Sequence, residues 1–130
     1  MGTIATTSQK RLQSFKFTAA CARGLAVKPG ADAEHVTKSV LAVSKAIGIC
    51  QNDITTAEEE GEVALPGGGA VAKLGASVAF GDELVCDTAG KLIPAANAGE
   101  RVIAIAMQDG VADDLIAVEV VCHKAVSAQA

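Results

Sequence analysis

Residues 81–95 constrain the fold more than any other part of the chain. Two short apolar runs, residues 83–86 and 91–94, flank the segment Asp87-Thr88-Ala89-Gly90. A four-residue connection with glycine near its end is typical of a β-hairpin loop. A Gly81-Asp82 turn precedes the first run, and Pro94 ends the second because it has no N–H to donate to a strand ladder. The stretch therefore predicts a hairpin, which the rest of the chain must cover because an isolated hairpin is marginal in water.

Several other segments carry strand patterns. Phe15 and Phe17 alternate with polar residues and so share one face of a strand. Residues 101–107 are apolar on both faces, which predicts a central buried strand. Residues 35–43 fit either a helix or a strand, and their β-branched residues favour a strand. Besides the hairpin, we predict strands over residues 14–19, 35–43, 46–50, 62–65, 101–107 and 115–124.

The last of these segments alternates with period two along its whole length. Such alternation predicts a strand with one buried and one half-exposed face. The predicted buried face carries Ile116, Val118, Val120 and Cys122, and the opposite face carries Leu115, Ala117, Glu119, Val121 and His123.

The chain contains a faint internal repeat. Residues 47–53 resemble residues 103–109 at an offset of 56, and at the same offset residues 62–65 fall on residues 118–121. Each half thus reads as a buried strand, an acidic turn and a second strand. The pattern fits either a duplicated unit or two similar hairpins.

Short strands separated by frequent turn signals predict the fold class. We expect a mainly β protein, a small compact antiparallel β-barrel or sandwich with an extended N-terminal arm and little helix. Residues 1–14 are polar and without pattern, which predicts the arm, with simple terminal disorder as the alternative. Residues 15–126 would form the β-barrel domain, and residues 127–130 a small polar tail.

Composition excludes several functional classes. The chain has 130 residues, a net charge of −4 and 2% aromatic residues, so it offers neither the basic patch nor the stacking platform of a nucleic-acid binder. No apolar run reaches the length of a membrane helix, and no signal peptide is evident, which indicates folding in a reducing cytoplasm. Half of the residues are hydrophobic, and apolar surface without a membrane suggests subunit interfaces.

No strong catalytic or metal motif emerges. The four cysteines lack metal-ligand spacing and each lies in an apolar run, so we expect small buried hydrophobic side chains. Residues 58–60 are three adjacent acids, which predicts a solvated loop rather than a calcium site. Asp82, Asp87 and His123 are the candidates for a ligand or acid–base site, although both aspartates stand where turns favour aspartate. We therefore expect no cofactor, no metal and no catalytic residue.

Residues 75–95 resemble a known signature. They are similar to the pattern aV-x-x-GD-x-v-x-x-D-x-x-Gkv-x-pa of tailed-phage capsid cement, or decoration, proteins. Residues 102–106 resemble the family's viGvA strand, with Ala104 where glycine is more usual. The upstream strand at 46–50 and the segment 58–65 resemble the first half of the family pattern. The matching residues of the signature are Val78, Gly81, Asp82, Asp87, Gly90, Lys91, Pro94 and Ala95.

The resemblance implies a non-enzymatic virion protein made in the bacterial host cytoplasm. Such proteins are small β-rich barrels, often homotrimers, that bind the outer capsid surface after expansion and stabilise contacts between major capsid proteins. Their partners are the major capsid protein and other copies of themselves, without nucleic acid or membrane. The resemblance also implies that the arm runs along the capsid. The partner-binding candidates are Ile4, Lys10, Arg11, Leu12, Phe15 and Phe17.

Two other functions remain open from the sequence. One is a soluble β-barrel ligand-binding module, or a small accessory enzyme, that uses Asp82, Asp87 and His123. The other is a head-fibre or tail-associated structural protein, against which the lack of a long fibrous repeat counts.

Overall fold

The computed structural model describes residues 11–30, 32–39, 45–96 and 100–124. Within these ranges it contains ten β-strands and no helix, which confirms the mainly β class. The strands are β1 (Leu12–Phe17), β2 (Ala26–Pro29), β3 (His35–Lys38), β4 (Gly48–Cys50), β5 (Glu60–Ala64), β6 (Gly69–Lys73), β7 (Glu83–Cys86), β8 (Leu92–Pro94), β9 (Arg101–Ala106) and β10 (Leu115–Lys124).

The first five strands form a closed barrel in the order β1-β3-β2-β4-β5. β5 closes it by pairing with β1, and only the β1–β3 pair is parallel. Phe17, Val36 and Val63 point into the interior, where all three are fully buried. Burial of side chains of this size stabilises the fold by about 1.5–3 kcal/mol each. The predicted strand at 35–43 is thus confirmed over β3, while residues 40–44 lie outside the described residues.

The last five strands form a second sheet in the order β6-β10-β9-β7-β8. β9 is its middle strand, as its two apolar faces predict, and it lies between β10 and β7. On β10, Ile116, Val118 and Val120 are buried, which confirms the predicted inner face over these residues.

A β-bulge interrupts the alternation of β10 at Cys122, although Cys122 packs against the same core as Ile116, Val118 and Val120, as predicted. Val120 pairs with Ala104 and His123 pairs with Val102, so two residues of β10 oppose the single Ile103. Cys122 adopts a φ of +47° in this β-bulge. A bulge of this kind disrupts the regular alternation of side chains along the strand.

The predicted hairpin is present as β7 and β8. Val85 pairs with Ile93, and the connecting loop ends at Gly90 with a φ of +84°. The Asp87 carboxylate accepts hydrogen bonds from the backbone N–H groups of Ala89 (2.8 Å) and Lys91 (3.0 Å). These residues therefore act in turn chemistry that sets the register of the hairpin.

The two sheets share one topology. When the strands are numbered within each half, both sheets have the neighbour order third, second, fourth, fifth, first. The parallel pairing of Phe17 with Val36 in the first half recurs in the second half as an isolated bridge between Leu74 and Leu92. The bridges Cys21–Ile54 and Val78–Gly110 also correspond. The offsets are 57 residues for β1 onto β6, 56 for β4 onto β9 and 55 for β5 onto β10. The repeat is therefore structural. Residues 62–65 correspond to residues 117–120, one residue earlier than the 118–121 predicted from the sequence.

The two halves pack into one body through a shared apolar core. Ala26 and Ile49 of the barrel join Leu84, Ile103 and Val118 of the second sheet in this core. Two backbone hydrogen bonds cross between the halves. The Ala26 N–H donates to the Gly90 oxygen (2.9 Å), and the Lys73 N–H donates to the Gly24 oxygen (2.9 Å).

The predicted arm boundary is three residues too late. Residues 12–14 belong to β1 and pair with β5, because the ladder from Leu12 to Lys16 is continuous. The rest of the predicted arm, residues 1–10, and the predicted tail, residues 127–130, lie outside the described residues.

A substitution at Gly90 tests how much the close contact between the two halves contributes to stability. Both Gly90 and Gly81 have positive φ, but a Cβ at Gly90 would lie 3.0 Å from the Ser39 oxygen, whereas nothing lies within 4 Å of one at Gly81. We expect Gly81→Ala to lower the free energy of unfolding by about 1 kcal/mol, from backbone strain alone. Gly90→Ala should cost a further ~1–3 kcal/mol from overpacking.

Urea unfolding of both variants, followed by circular dichroism, measures these costs. Equal losses for Gly81→Ala and Gly90→Ala would show that the close approach of Gly90 to the barrel does not matter.

Candidate partner-binding surfaces

The predicted partner-binding residues separate into surface and core positions. Arg11 is exposed, and its Nη1 donates to the Pro66 oxygen at 3.1 Å. Leu12 begins β1 with 39% of its surface exposed. Arg11 and Leu12 therefore lie at the surface where β1 begins, and Ile4 and Lys10 lie outside the described residues.

Phe15 and Phe17 belong to the barrel core. Phe17 has no exposed surface, and Phe15 is partly buried against the same interior cluster. Their side chains hold β1 in the barrel, so we assign both to the core rather than to a partner surface.

The structure does not bring Asp82 and Asp87 to a common site. The two residues bracket the four-residue strand β7, which separates them by about 16 Å along the chain. Each carboxylate holds its own turn, since Asp82 Oδ2 accepts the Ala79 N–H at 2.9 Å and Asp87 caps the hairpin loop. The backbone of His123 lies in β10, two strands away from β7.

A charged cluster surrounds His35 at the β2–β3 turn. Its Nδ1 lies 2.7 Å from Asp32 Oδ1 and its Nε2 lies 3.0 Å from Glu58 Oε1. The hydrogen bonds to Asp32 and then to Glu58 raise the pKa of His35 above its ordinary value, and the bond to His35 lowers the pKa of Asp32. Glu58 reaches the imidazole from a left-handed backbone conformation with a φ of +69°.

The second half carries an equivalent ion pair. Lys91 Nζ lies 2.7 Å from Asp113 Oδ1, and Asp113 has a φ of +71°. Lys91 follows His35 by 56 residues and Asp113 follows Glu58 by 55. Sequence reasoning missed both clusters, although the repeat offset was the signal that could have found them.

The acidic run 58–60 is only partly the solvated loop that its composition predicts. Glu58 pairs with His35, and Glu60 begins β5. Glu59 Oε1 accepts the backbone N–H groups of Thr55 (2.9 Å) and Thr56 (3.3 Å), which lowers the pKa of Glu59. The three side chains thus have three separate structural roles.

The cysteines are packed side chains, as predicted. Cys21, Cys50 and Cys86 are buried, and Cys122 is half-buried. The Cys21 thiol is hydrogen-bonded to Cys50, which raises the pKa of Cys21 and lowers that of Cys50. Burial raises the pKa of the Cys122 thiol to about 11, so this thiol is protonated and unreactive near neutral pH.

The described ranges contain neither a metal-binding cluster nor a membrane-spanning helix. No group of three His, Cys, Asp or Glu side chains there is placed to hold a metal ion. No helix in the same ranges is long and apolar enough to cross a membrane.

The outward faces of the two halves differ in chemistry. The β1–β5 face bears a hollow of about 460 Å³ whose lining includes Asp53, Glu59, Glu60 and Glu62. The equivalent β6–β10 face bears a hollow of about 300 Å³ lined by small and apolar groups, with the polar side chains of Arg23, Gln51 and Glu119 also contributing. Met107, Ala117 and Val71 are among the apolar groups. The same fold thus presents an acidic face in one half and an apolar face in the other.

Comparison with known proteins places only the fold. No family model matches the chain, and no curated protein matches it. Six chains of solved structures match. One is the N base of head fiber gp8.5 from bacteriophage phi29, with a TM-score of 0.66 and 15% sequence identity. The alignment covers 89% of this chain and 98% of that chain, so the two share a fold over nearly all of their length.

The His35 cluster predicts a pH-dependent contribution to stability. Because the folded pKa of His35 is raised, its contribution is complete below the unfolded value of about 6.5 and is lost as pH rises through the folded pKa. The carboxylates of Asp32 and Glu58 hold the imidazole, and Lys16 pairs with His35 on the neighbouring strand. His35→Gln should therefore reduce the free energy of unfolding more at pH 5.5 than at pH 9, as measured by urea unfolding.

Lys91→Gln is the matched control. The pKa of Lys91 is raised and that of Asp113 is lowered, so both stay charged from pH 5.5 to pH 9. The cost of Lys91→Gln should not change over this range. An equal cost of His35→Gln at both pH values would contradict the assignment.

Proposed function

We propose that this chain is a structural protein of a phage virion that binds the outer surface of the capsid and stabilises contacts between major capsid proteins. The observation that carries the proposal is the fold shared with the base of a phage head fibre over nearly the whole chain. The hairpin that bears the cement-protein signature supports it, since its Gly81, Asp82, Asp87 and Gly90 act in turns rather than in a site.

In this proposal the N-terminal segment contacts the major capsid protein. Arg11 and Leu12 are exposed at the start of β1, and Ile4 and Lys10 precede them in the chain. Because Phe15 is packed in the barrel, the proposed capsid contact ends near Leu12, where β1 enters its ladder with β5. Self-association, with three copies as the expected number, gains strength from several weak contacts at once because each bound arm raises the effective concentration of the others.

A head-fibre base is the second candidate. The matched structure is the base of a phage head fibre, and that match favours this candidate over a tail protein. The two candidates differ in where the protein stands on the particle. A cement protein would occupy sites between capsid subunits across the whole shell, whereas a fibre base would carry a projecting partner at each site.

The ligand-binding or enzymatic alternative has little support. Asp82 and Asp87 hold separate turns, and their carboxylates accept backbone hydrogen bonds there. Replacing either with alanine should lower stability without removing a chemical activity.

Co-sedimentation with expanded heads tests the proposal. The heads would be assembled from the major capsid protein encoded in the same genome. We expect the full chain to sediment with expanded heads, and deletion of residues 1–10 to weaken binding at least about tenfold because the arms add effective concentration. The deletion stops before Leu12, so that the β1–β5 ladder stays intact.

Two outcomes are decisive. Failure of the full chain to bind heads would overturn the capsid proposal. Full binding by the shortened chain would remove only the role of the arm. Electron microscopy of decorated heads then separates the cement arrangement from a fibre base by the presence of a projecting partner.

A further inference from the structure

The repeat provides an internal comparison for the β6–β10 face. Equivalent positions occupy the same step of the ladder and lie on the same face of the strand pair, because the strand registers match along the two ladders. Ser14 and Glu62 pair in the first half, whereas Val71 and Ala117 pair at the equivalent step in the second half. Since the fold tolerates polar side chains at this step, apolar side chains there are not required for folding.

The other positions of the face continue this contrast. Glu60 of the first half is replaced by Leu115, and the equivalent of Gln51 is Met107. Leu115 and Met107 each expose 48% of their surface. Large apolar side chains that are exposed together on one face of a sheet typically mark an interaction surface.

The chemistry of this face is self-complementary. Lys73 pairs with Leu115 at one end of the ladder, and Glu119 pairs with Gly69 at the other end, about 13 Å along β10. The apolar step of Val71 and Ala117 lies midway between these charges. Consider a cyclic assembly whose rotation axis is perpendicular to the strands of this face. The end of the face that carries Lys73 in one copy then meets the end that carries Glu119 in the next copy. This pairing holds for a two-fold or a three-fold axis.

Electrostatic repulsion disfavours self-association through the equivalent β1–β5 face of the first half. The chain has a net charge of −4, and the β1–β5 face carries Glu60 and Glu62 beside Asp53 and Glu59, against Lys16, which pairs with Glu60. Bringing two such faces together would place carboxylates opposite carboxylates. Asp113 and Asp114, which precede β10, are held by Lys91 and by the Val111 N–H, respectively.

Strand addition at the edge of the second sheet is blocked beside this face. Gln51 Nε2 donates to the Val71 oxygen at 3.0 Å, and Gln51 Oε1 accepts the Val71 N–H at 3.2 Å. The side-chain amide therefore satisfies the exposed backbone of β6 at its midpoint. A partner that binds beside Val71 therefore contacts side chains, because the backbone edge of β6 is already hydrogen-bonded there.

We infer that the β6–β10 face, centred on Val71 and Ala117, is the surface by which a second copy of this chain binds in a cyclic assembly. Lys73 of each copy pairs with Glu119 of its neighbour around an apolar centre that Leu115 and Met107 complete. The inference deepens the self-association part of the proposed function. It is tested in solution without capsids, so its outcome does not depend on capsid binding.

The first experiment places a carboxylate at the apolar centre. Ala117→Glu installs the residue that the fold already carries at Glu62, so the variant should fold with an unchanged circular dichroism spectrum. We expect it to raise the concentration for half-dissociation at least about tenfold, as measured by analytical ultracentrifugation of the full chain. Ser14→Glu, on the equivalent face of the first half, is the control and should leave assembly unchanged.

The second experiment exchanges the charges. Lys73→Glu and Glu119→Lys should each weaken assembly, because each places like charges opposite one another, and the double variant should restore it. Rescue by the double variant requires that the two positions meet across copies. A wild-type chain that stays monomeric, an Ala117→Glu chain that assembles normally, or a double variant without rescue would each overturn the inference.

Discussion

The apolar layer between the two halves is the interaction on which the rest of the structure depends. Ala26 and Ile49 of the barrel and Leu84 and Ile103 of the second sheet bury their side chains in the same cluster. The barrel also encloses a separate interior cluster around Phe17 and Val63, so this shared layer is what joins the two halves into one body. Gly24 and Gly90 make backbone contacts across this layer, and both approaches depend on the absence of a Cβ, which would lie 2.7 Å from the Lys73 nitrogen at Gly24 and 3.0 Å from the Ser39 oxygen at Gly90.

The structural repeat explains how a small chain with few aromatic residues builds this layer. Two units with the same strand order bring similar surfaces together, and each retains a charged cluster at the equivalent turn. His35 with Glu58 in one half corresponds to Lys91 with Asp113 in the other. The change from histidine to lysine keeps the ion pair but removes its response to pH near neutrality. The outward faces diverged further, from glutamates on β5 to apolar residues on β10.

Much of the fold could be predicted from the sequence, whereas the surfaces could not. The β7–β8 hairpin, the central position of β9 and the burial of the cysteines follow from local patterns of turn residues and hydrophobicity. The start of β1 and the bulge at Cys122 do not, because both depend on the ladder with a distant strand. Phe15 and Phe17 show the same limit. Their alternation predicted a shared face, but only the closed barrel makes that face an interior.

By itself, the sequence determined the local elements of this protein. Gly81, Asp87 and Gly90 specify turns through their own backbone preferences and hydrogen bonds, which act over a few residues. The tertiary structure alone decided that the faint repeat is two equivalent sheets and that Val71 meets Ala117. It also decided that Asp82 and Asp87 serve separate turns. Pairings between residues far apart in the chain depend on register and closure, and these are set by the packing of the whole chain rather than by any single segment.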